Sequence, residues 1–342
     1  MMGSAGPPQQ GGPAVWYDRP MNDFHFEELT PALQAWLDHI GQPNHDPAER
    51  DRLRAAVPPD LMARWFRAQK QWRCRDASQV GEVEVHPSPS GRYTLHITQH
   101  AEGPRTWSYS RGRVYQGEVL IAEICRNFGH FPFAWIEHHP SGHAYLIGGE
   151  DYQGQTVIEL DTGRRAEHLP PEAAEGVGFC WASFEASPSG LTLAVDGCYW
   201  ACPYELRLVD LSDPLAGLPV LTYIDDEGSF AWEAADTCLV TRNVEHYVPT
   251  GTPVNQMSAE EEADQQRRQA AGEKGLWRTE AVTETWVRPP LASVVAQQVA
   301  VMEAAKRSPR GELLNNLREL VRRLPEAEQA GWVERLERLG RP

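Results

Sequence analysis

The sequence predicts a mainly β protein of about four four-stranded antiparallel units, with helices before and after them. A Pro-Ser-Gly turn that leads into an alternating apolar strand occurs three times, at residues 89–91, 140–142 and 188–190. The glycines of successive copies are 51 and 48 residues apart, which is the repeat length of a four-stranded unit rather than of a helical solenoid. Helical start and stop signals flank the repeated region.

The N-terminal part divides into two segments. Residues 1–15 consist mostly of Gly, Pro and Gln and are predicted to be disordered. Residues 16–79 are predicted to be helical, because Thr30-Pro31 and Asp46-Pro47 each combine a capping residue with a first-turn proline.

Residues 80–290 carry the repeats, and a second landmark keeps the same register. The third strand of each unit follows the turn glycine by 15 or 16 residues, at Trp107, Val157 and Leu206. A fourth, weaker copy covers residues 230–240, with Asp236 in the place of the turn glycine. Its third strand comes only after the polar insertion 249–280, which is predicted to be a mobile or helical excursion from the sheet.

Residues 291–342 are predicted to form amphipathic helices. Leu313, Leu317, Leu320 and Leu324 share one helical face. This face could pack on the protein's own sheet or serve as a dimerisation surface for a second copy.

The repeats resemble those of uncharacterised bacterial β-propeller proteins of the WD40-like and quinoprotein-like kind. Residues 232–240 and the turn Asp161-Thr162-Gly163 carry the resemblance, which covers roughly residues 80–290. It implies a propeller-like array of about four blades. No copy has the Trp-Asp dipeptide of that family, and four copies are fewer than most closed rings have, so a small ring, an open arc and a stack of sheets remain alternatives.

Composition argues against some classes of partner and indicates a compartment. The formal net charge of −16 argues against a nucleic-acid binder, because phosphate contacts require clustered Lys and Arg. The sequence has neither a run of 18 apolar residues nor a secretory signal, so no membrane partner is expected and the cytoplasm is the predicted compartment. Arg greatly outnumbers Lys, a bias that we attribute to a GC-rich bacterial genome.

The predicted binding surface consists of the loops between second and third strands, which emerge at one end of the units. The candidate residues are His100, Tyr152, Tyr199, Trp200 and Tyr204. Aromatic residues in connecting loops favour a site for a protein partner, because they bury a large area with few rotatable bonds. The alternative is that Tyr199 and Trp200 fold back and pack within a long hairpin.

The residues favour an interaction module over an enzyme. Cys198 and Cys202, or His138 and His143, are weak candidates for a metal site; buried thiols or a hairpin disulfide explain the cysteines equally well. The nucleophile-elbow, phosphate-binding and dinucleotide-binding motifs are all missing from the sequence, so no cofactor is expected. The propeller resemblance leaves one alternative function, a divalent-metal-dependent hydrolase or lactonase with its site in the channel.

Overall fold

Four four-stranded antiparallel sheets and the helices at either end of them make up the fold of this computed structural model. It describes residues 25–42, 46–104, 106–149, 153–170, 178–199, 204–224, 228–304 and 311–340. The chain divides into two compact units. The first contains Met1–Phe131, Gly148–Tyr152 and Glu172–Gly176; the second contains Pro132–Ile147, Gln153–Pro171 and Val177–Pro342.

Three helices precede the sheets and belong to the first unit. They are α1 (Pro31–Ile40), α2 (Pro47–Ala55) and α3 (Pro59–Arg73). Each begins at a proline, and the side chains of Thr30 and Asp46 cap the first two helices by accepting backbone N–H bonds. Trp36 and Trp65 pack edge to face with their ring centroids 5.5 Å apart, so the three helices have an apolar core of their own.

In sheets one to three the strands follow one another in chain order. Sheet one contains β1 (Gln79–Pro87), β2 (Thr94–Ala101), β3 (Ser108–Gln116) and β4 (Val119–Arg126). Sheet two contains β5 (Phe133–Ile136), β6 (Tyr145–Gly149), β7 (Gln155–Glu159) and β8 (Arg165–His168). Sheet three contains β9 (Cys180–Ala186), β10 (Thr192–Cys198), β11 (Tyr204–Asp210) and β12 (Val220–Ile224). Sheet four contains β13 (Gly228–Ala234), β14 (Thr237–Tyr247), β15 (Thr252–Pro253) and β16 (Trp277–Val287). In sheet four, by contrast, β13, β15 and β16 all pair with β14. The predicted mainly β fold of four antiparallel four-stranded sheets is therefore confirmed.

The repeated Pro-Ser-Gly phrase forms the turn between the first two strands of sheets one, two and three. In each copy the glycine N–H donates to the carbonyl three residues earlier at 2.9 Å, and proline occupies the second turn position. Gly91, Gly142 and Gly190 have φ values of +71°, +81° and +75°, which only glycine adopts without strain. The phrase recurs because this turn geometry requires it.

The corresponding turn of sheet four differs from the sequence-based alignment. Ala234 pairs with Thr237, so the turn has only two residues, Ala235 and Asp236. Ala235 has a φ of +43° and thus takes the left-handed conformation, which the sequence spacing had assigned to Asp236. The Asp236 carboxylate instead accepts hydrogen bonds from Ser187, Ser189 and Thr192 at 2.7 to 2.9 Å. It thereby ties the turn of sheet three to that of sheet four.

We expect Ala235→Gly to raise the free energy of unfolding by about 0.5 to 1 kcal/mol, because the left-handed conformation disfavours a Cβ more than glycine's extra unfolded-state entropy costs. Urea denaturation measures the difference. Gly91→Ala is the converse control, since a Cβ there meets no atom within 4 Å and adds only backbone strain. The same stability or a loss for Ala235→Gly would contradict the assignment of the turn.

The polar insertion 249–280, predicted to be either mobile or helical, contains a helix. It contains β15 and α4 (Ala259–Ala270), and Ser258 and Glu261 form a capping box at the start of that helix. The Tyr247 hydroxyl donates to Asp264 of α4 at 2.7 Å, which fixes the helix to the end of β14. The insertion thus joins β14 to β16, the two longest strands of the described chain.

Three helices follow the sheets, namely α5 (Leu291–Ala304), α6 (Gly311–Arg322) and α7 (Glu326–Leu339). Their apolar faces pack on one another and on Leu221 of β12. The Asn316 amide donates to the carbonyl of Val220 at 2.9 Å and accepts from its N–H at 2.6 Å, while Gln298 donates to Val220 and Leu221. Helix side chains therefore cover the outer edge of sheet three.

Of the helices described, none combines the length and the apolar composition needed to cross a membrane.

Candidate functional site

His100, a predicted loop residue, lies in β2 and is fully buried. Its Nδ1 donates to the Arg75 carbonyl at 3.1 Å, and its Nε2 accepts from the Thr98 hydroxyl at 2.8 Å. Burial, together with the nearby Arg111 guanidinium, lowers the pKa of His100 to about 4. The placement of His100 in an exposed loop was wrong: it is a neutral core histidine.

Tyr199 and Tyr204 flank the connection between β10 and β11. Tyr204 is the first residue of β11 and pairs with Cys198, so it lies in the sheet and not in the loop. The Tyr199 hydroxyl donates to Glu312 of α6 and accepts from Arg207 at 2.5 Å. Burial raises the pKa of Tyr199 to about 12, which keeps this donor protonated. These contacts favour the packing alternative for Tyr199.

Arg207 is the centre of an aromatic cage. Its guanidinium carbon lies 3.6 Å from the ring centroid of Phe179 and 5.1 Å from those of Tyr199 and Tyr223. Glu312 accepts from the same group at 2.7 Å. The cluster connects sheet three to α6, and its polar atoms point at one another.

Trp200 and Tyr152, the other two predicted binding residues, lie outside the described residues, as does Cys202. Cys198 is buried opposite Cys180 in the β9–β10 pairing, and both have free thiols. His138 is exposed, whereas His143 lies 3.7 Å from Asp161 and 3.9 Å from Glu159. In the part of the chain that the structure describes, no three His, Cys, Asp or Glu side chains form a group that could hold a metal ion.

An open cleft of about 540 Å³ lies among turns of sheets two and three. We call it the polar cleft. It is formed by the Pro-Ser-Gly turn and the β7–β8 turn of sheet two together with the connection from β11 to β12. Its lining residues are His139, Ser141, His143, Tyr145, Arg164 and residues 212–216. All of them belong to the second unit.

Hydrogen bonds connect the groups on the floor of the polar cleft. The His139 Nε2 donates to the Leu211 carbonyl at 2.8 Å, and its Nδ1 lies 2.7 Å from the Ser141 hydroxyl. The Ser141 hydroxyl is 3.2 Å from that of Tyr145, which donates to Glu159 at 3.2 Å. The floor is therefore held in place before any ligand arrives.

Glu159 lies behind the floor with a side chain that has no exposed surface. Arg164 donates to it through Nε at 2.9 Å and Nη2 at 2.6 Å, and Thr162 donates at 2.6 Å. The Arg164 hydrogen bonds outweigh the cost of burial and lower the pKa of Glu159 to about 2. This carboxylate stays ionised and already has its partners.

The opposite wall is the connection 212–216, held rigid from outside the cleft. Arg323 of α6–α7 donates to the carbonyls of Asp213 at 3.0 Å and Gly217 at 2.6 Å. His168 is hydrogen-bonded to the Pro214 carbonyl at 2.8 Å. The Asp213 side chain caps only the Ala216 N–H, at 3.3 Å, so the exposed carboxylate is available on the rim.

The sequence interpretation missed this cleft because it considered only the connections between second and third strands. Turns between first and second strands and those between third and fourth strands share the other end of an antiparallel sheet. The concentration of His138, His139 and His143 around one Pro-Ser-Gly turn was the available signal.

No protein-family model matches the chain. An uncharacterised protein of Acanthamoeba polyphaga mimivirus is 37% identical over 145 residues, which are 41% of this chain and 56% of the viral protein. The chain thus spans about half the length of the curated relative that it matches.

A solved structure from an analysis of two prolyl endopeptidases covers 66% of this chain and 39% of its own, with 13% identity and a TM-score of 0.23. A likeness at that score carries no argument about fold or activity.

Proposed function

We propose that the protein is a protein–protein interaction module in a bacterial cytoplasm, in which the four sheets are the blades of a propeller-like array. In this proposal the polar cleft receives a segment of the partner protein. Two features support this proposal. The cleft is open and hydrogen bonds hold its walls in place, and the polar groups on its floor bind one another, so none of them is placed as a reactive group.

One observation carries the choice of binding over catalysis: the reactive-looking groups of the cleft have structural explanations. The contact of Ser141 with residue 139 is repeated in sheets one and three, where Ser88 and Ser187 stand in place of His139. A turn geometry that recurs without a histidine does not indicate a nucleophile and its base. Glu159, held ionised, is equally unsuited to general acid catalysis at neutral pH.

The charges of the cleft favour a basic segment of the partner. Glu159 already binds the Arg164 guanidinium, whereas the exposed carboxylate of Asp213 lies on the rim of the cleft. The net charge of −16 adds a field that attracts cations. Pro214 and Leu215 supply apolar surface for the stem of a lysine or arginine side chain.

We expect the double variant His143→Ala/Asp213→Asn to reduce capture of the partner at least about fivefold, because the loss of one side chain inside the cleft and of one rim charge together costs about 1 kcal/mol or more. Affinity capture from an extract of the source cells, followed by quantitative mass spectrometry, measures this loss.

His138→Ala is the matched control, since it removes an exposed histidine from the same turn outside the cleft lining. The expected pattern is a protein recovered by wild type and His138→Ala but lost with the double variant. Equal recovery of every protein by all three chains would contradict the proposal.

A further inference from the structure

Strand β16 is the outer strand of sheet four, and within the described chain nothing pairs with its other edge. Sheets one to three each place a fourth strand beyond their third. In sheet four the remaining strand, β15, has two residues and pairs with β14. Nine of the eleven β16 residues are exposed. The unpaired edge of this strand presents a long row of backbone N–H and C=O groups, to which another strand can hydrogen-bond.

The other edge strands carry features that disfavour such pairing, and β5 and β8 have only four residues each. Strands β1, β4, β9, β12 and β13 each pair with their neighbour through a register shift. Asn316 and Gln298 also cover β12. By contrast, β16 pairs with β14 at eleven consecutive positions without a shift, and it contains neither Lys nor Pro. Its edge is regular and unprotected.

We propose that β16 pairs antiparallel with β16 of a second copy, which joins two copies of sheet four into one continuous sheet in a homodimer. The sequence of the strand is self-complementary in one register. When Ala281 lies opposite itself, Arg278 lies opposite Glu284 of the other copy, and this happens twice because the pairing is symmetric. Thr279 then lies opposite Thr283, also twice.

Neighbouring registers place like charges together. With Glu280 at the centre, this residue faces itself; with Val282 at the centre, Glu280 faces Glu284 twice. Like charges directly opposite each other destabilise a sheet. In the favoured register Glu284 gains a second cation. It already binds Arg242 of its own chain at 2.5 Å, and it would then also face Arg278 of the other copy.

The sequence suggested the C-terminal helices as the dimerisation surface, but these helices expose less apolar surface than that role requires. The apolar residues Leu314, Leu317, Leu320 and Val321 are packed inside the chain. The edge of β16 is exposed, and its pairing would bury backbone groups that now face solvent.

Charge reversal tests the register. We expect wild type to be a dimer in sedimentation velocity, and both Arg278→Glu and Glu284→Arg to be folded monomers with the far-ultraviolet circular dichroism spectrum of the wild type. The combined Arg278→Glu/Glu284→Arg chain should be a dimer again, because the opposite charges meet in exchanged positions. Arg267→Glu, an exposed reversal on α4, is the matched control and should stay dimeric.

Cysteine cross-linking gives a second readout that does not depend on affinity. Directly opposite Cα atoms in an antiparallel sheet are about 4.5 to 5.5 Å apart, within the range of a disulfide. Under mild oxidation Ala281→Cys should therefore give a covalent dimer on a non-reducing gel. Thr283→Cys should not, because residue 283 lies opposite residue 279.

A monomeric wild-type chain would overturn the proposal and assign the edge to a strand of another protein. Single reversals that stay dimeric, or a double reversal that stays monomeric, would overturn it as well. Equal cross-linking of Ala281→Cys and Thr283→Cys would exclude the register.

Discussion

Asp210→Asn is expected to lower the free energy of unfolding by about 3 to 5 kcal/mol. The Asp210 side chain has no exposed surface and binds both Arg288 and Arg323, whose side chains are 13% and 8% exposed. Removing the charge leaves two nearly buried guanidinium groups without their counter-ion. Urea denaturation measures the loss.

The same variant should change the acid response. Burial opposes ionisation of Asp210, but Arg323 and Arg288 more than offset it and hold its pKa below the ordinary value. Because the folded-state pKa is the lower one, the stabilisation is complete above the unfolded pKa of about 4 and is lost as the pH falls below it. Asp210→Asn should lack this part of the acid sensitivity.

Glu303→Gln is the control, because it removes a carboxylate from a solvent-exposed pair with Arg335. Its melting temperature should stay at the wild-type value. A melting temperature of Asp210→Asn as high as that of this control would show that the C-terminal helices are not anchored through Asp210.

Arg207→Leu is expected to cost about 3 kcal/mol or more. The side chain is 4% exposed, and its loss leaves Glu205 and Glu312 facing each other across a cavity among three aromatic rings. Chemical denaturation and the near-ultraviolet circular dichroism of the tyrosines measure the effect.

Arg52→Leu provides the comparison, since Arg52 pairs with Glu49 on the surface of α2 with 69% of its side chain exposed. If Arg207→Leu changed the stability as little as Arg52→Leu, the cage around Arg207 would not be structural, and Tyr199 would again be a candidate binding residue.

The turns and strands of this fold could be predicted because each depends on local chemistry. Gly91, Gly142 and Gly190 adopt conformations that other residues avoid, so their spacing in the sequence reports the spacing of the sheets. The same rule explains the error in sheet four, where Ala235 holds the strained conformation and the polar Asp236 looked like the better turn residue.

The site could not be predicted in the same way. His100 looks like a loop residue, but its burial depends on Ser78 and Arg75, which come from a segment more than 20 residues earlier. The polar cleft combines the turn at Ser141 with the connection at Asp213, about 70 residues apart in sequence. No local pattern contains that contact, since it depends on how consecutive sheets pack.

Photo-crosslinking from the wall of the polar cleft tests the central claim, that this cleft binds a partner protein. A photoreactive amino acid replaces Leu215 inside the cleft in one chain and His138 outside it in another, and both chains are irradiated in the source cells. The account predicts one discrete cross-linked protein at position 215 that is absent at position 138. No adduct at position 215, or the same set of adducts at both positions, would contradict it.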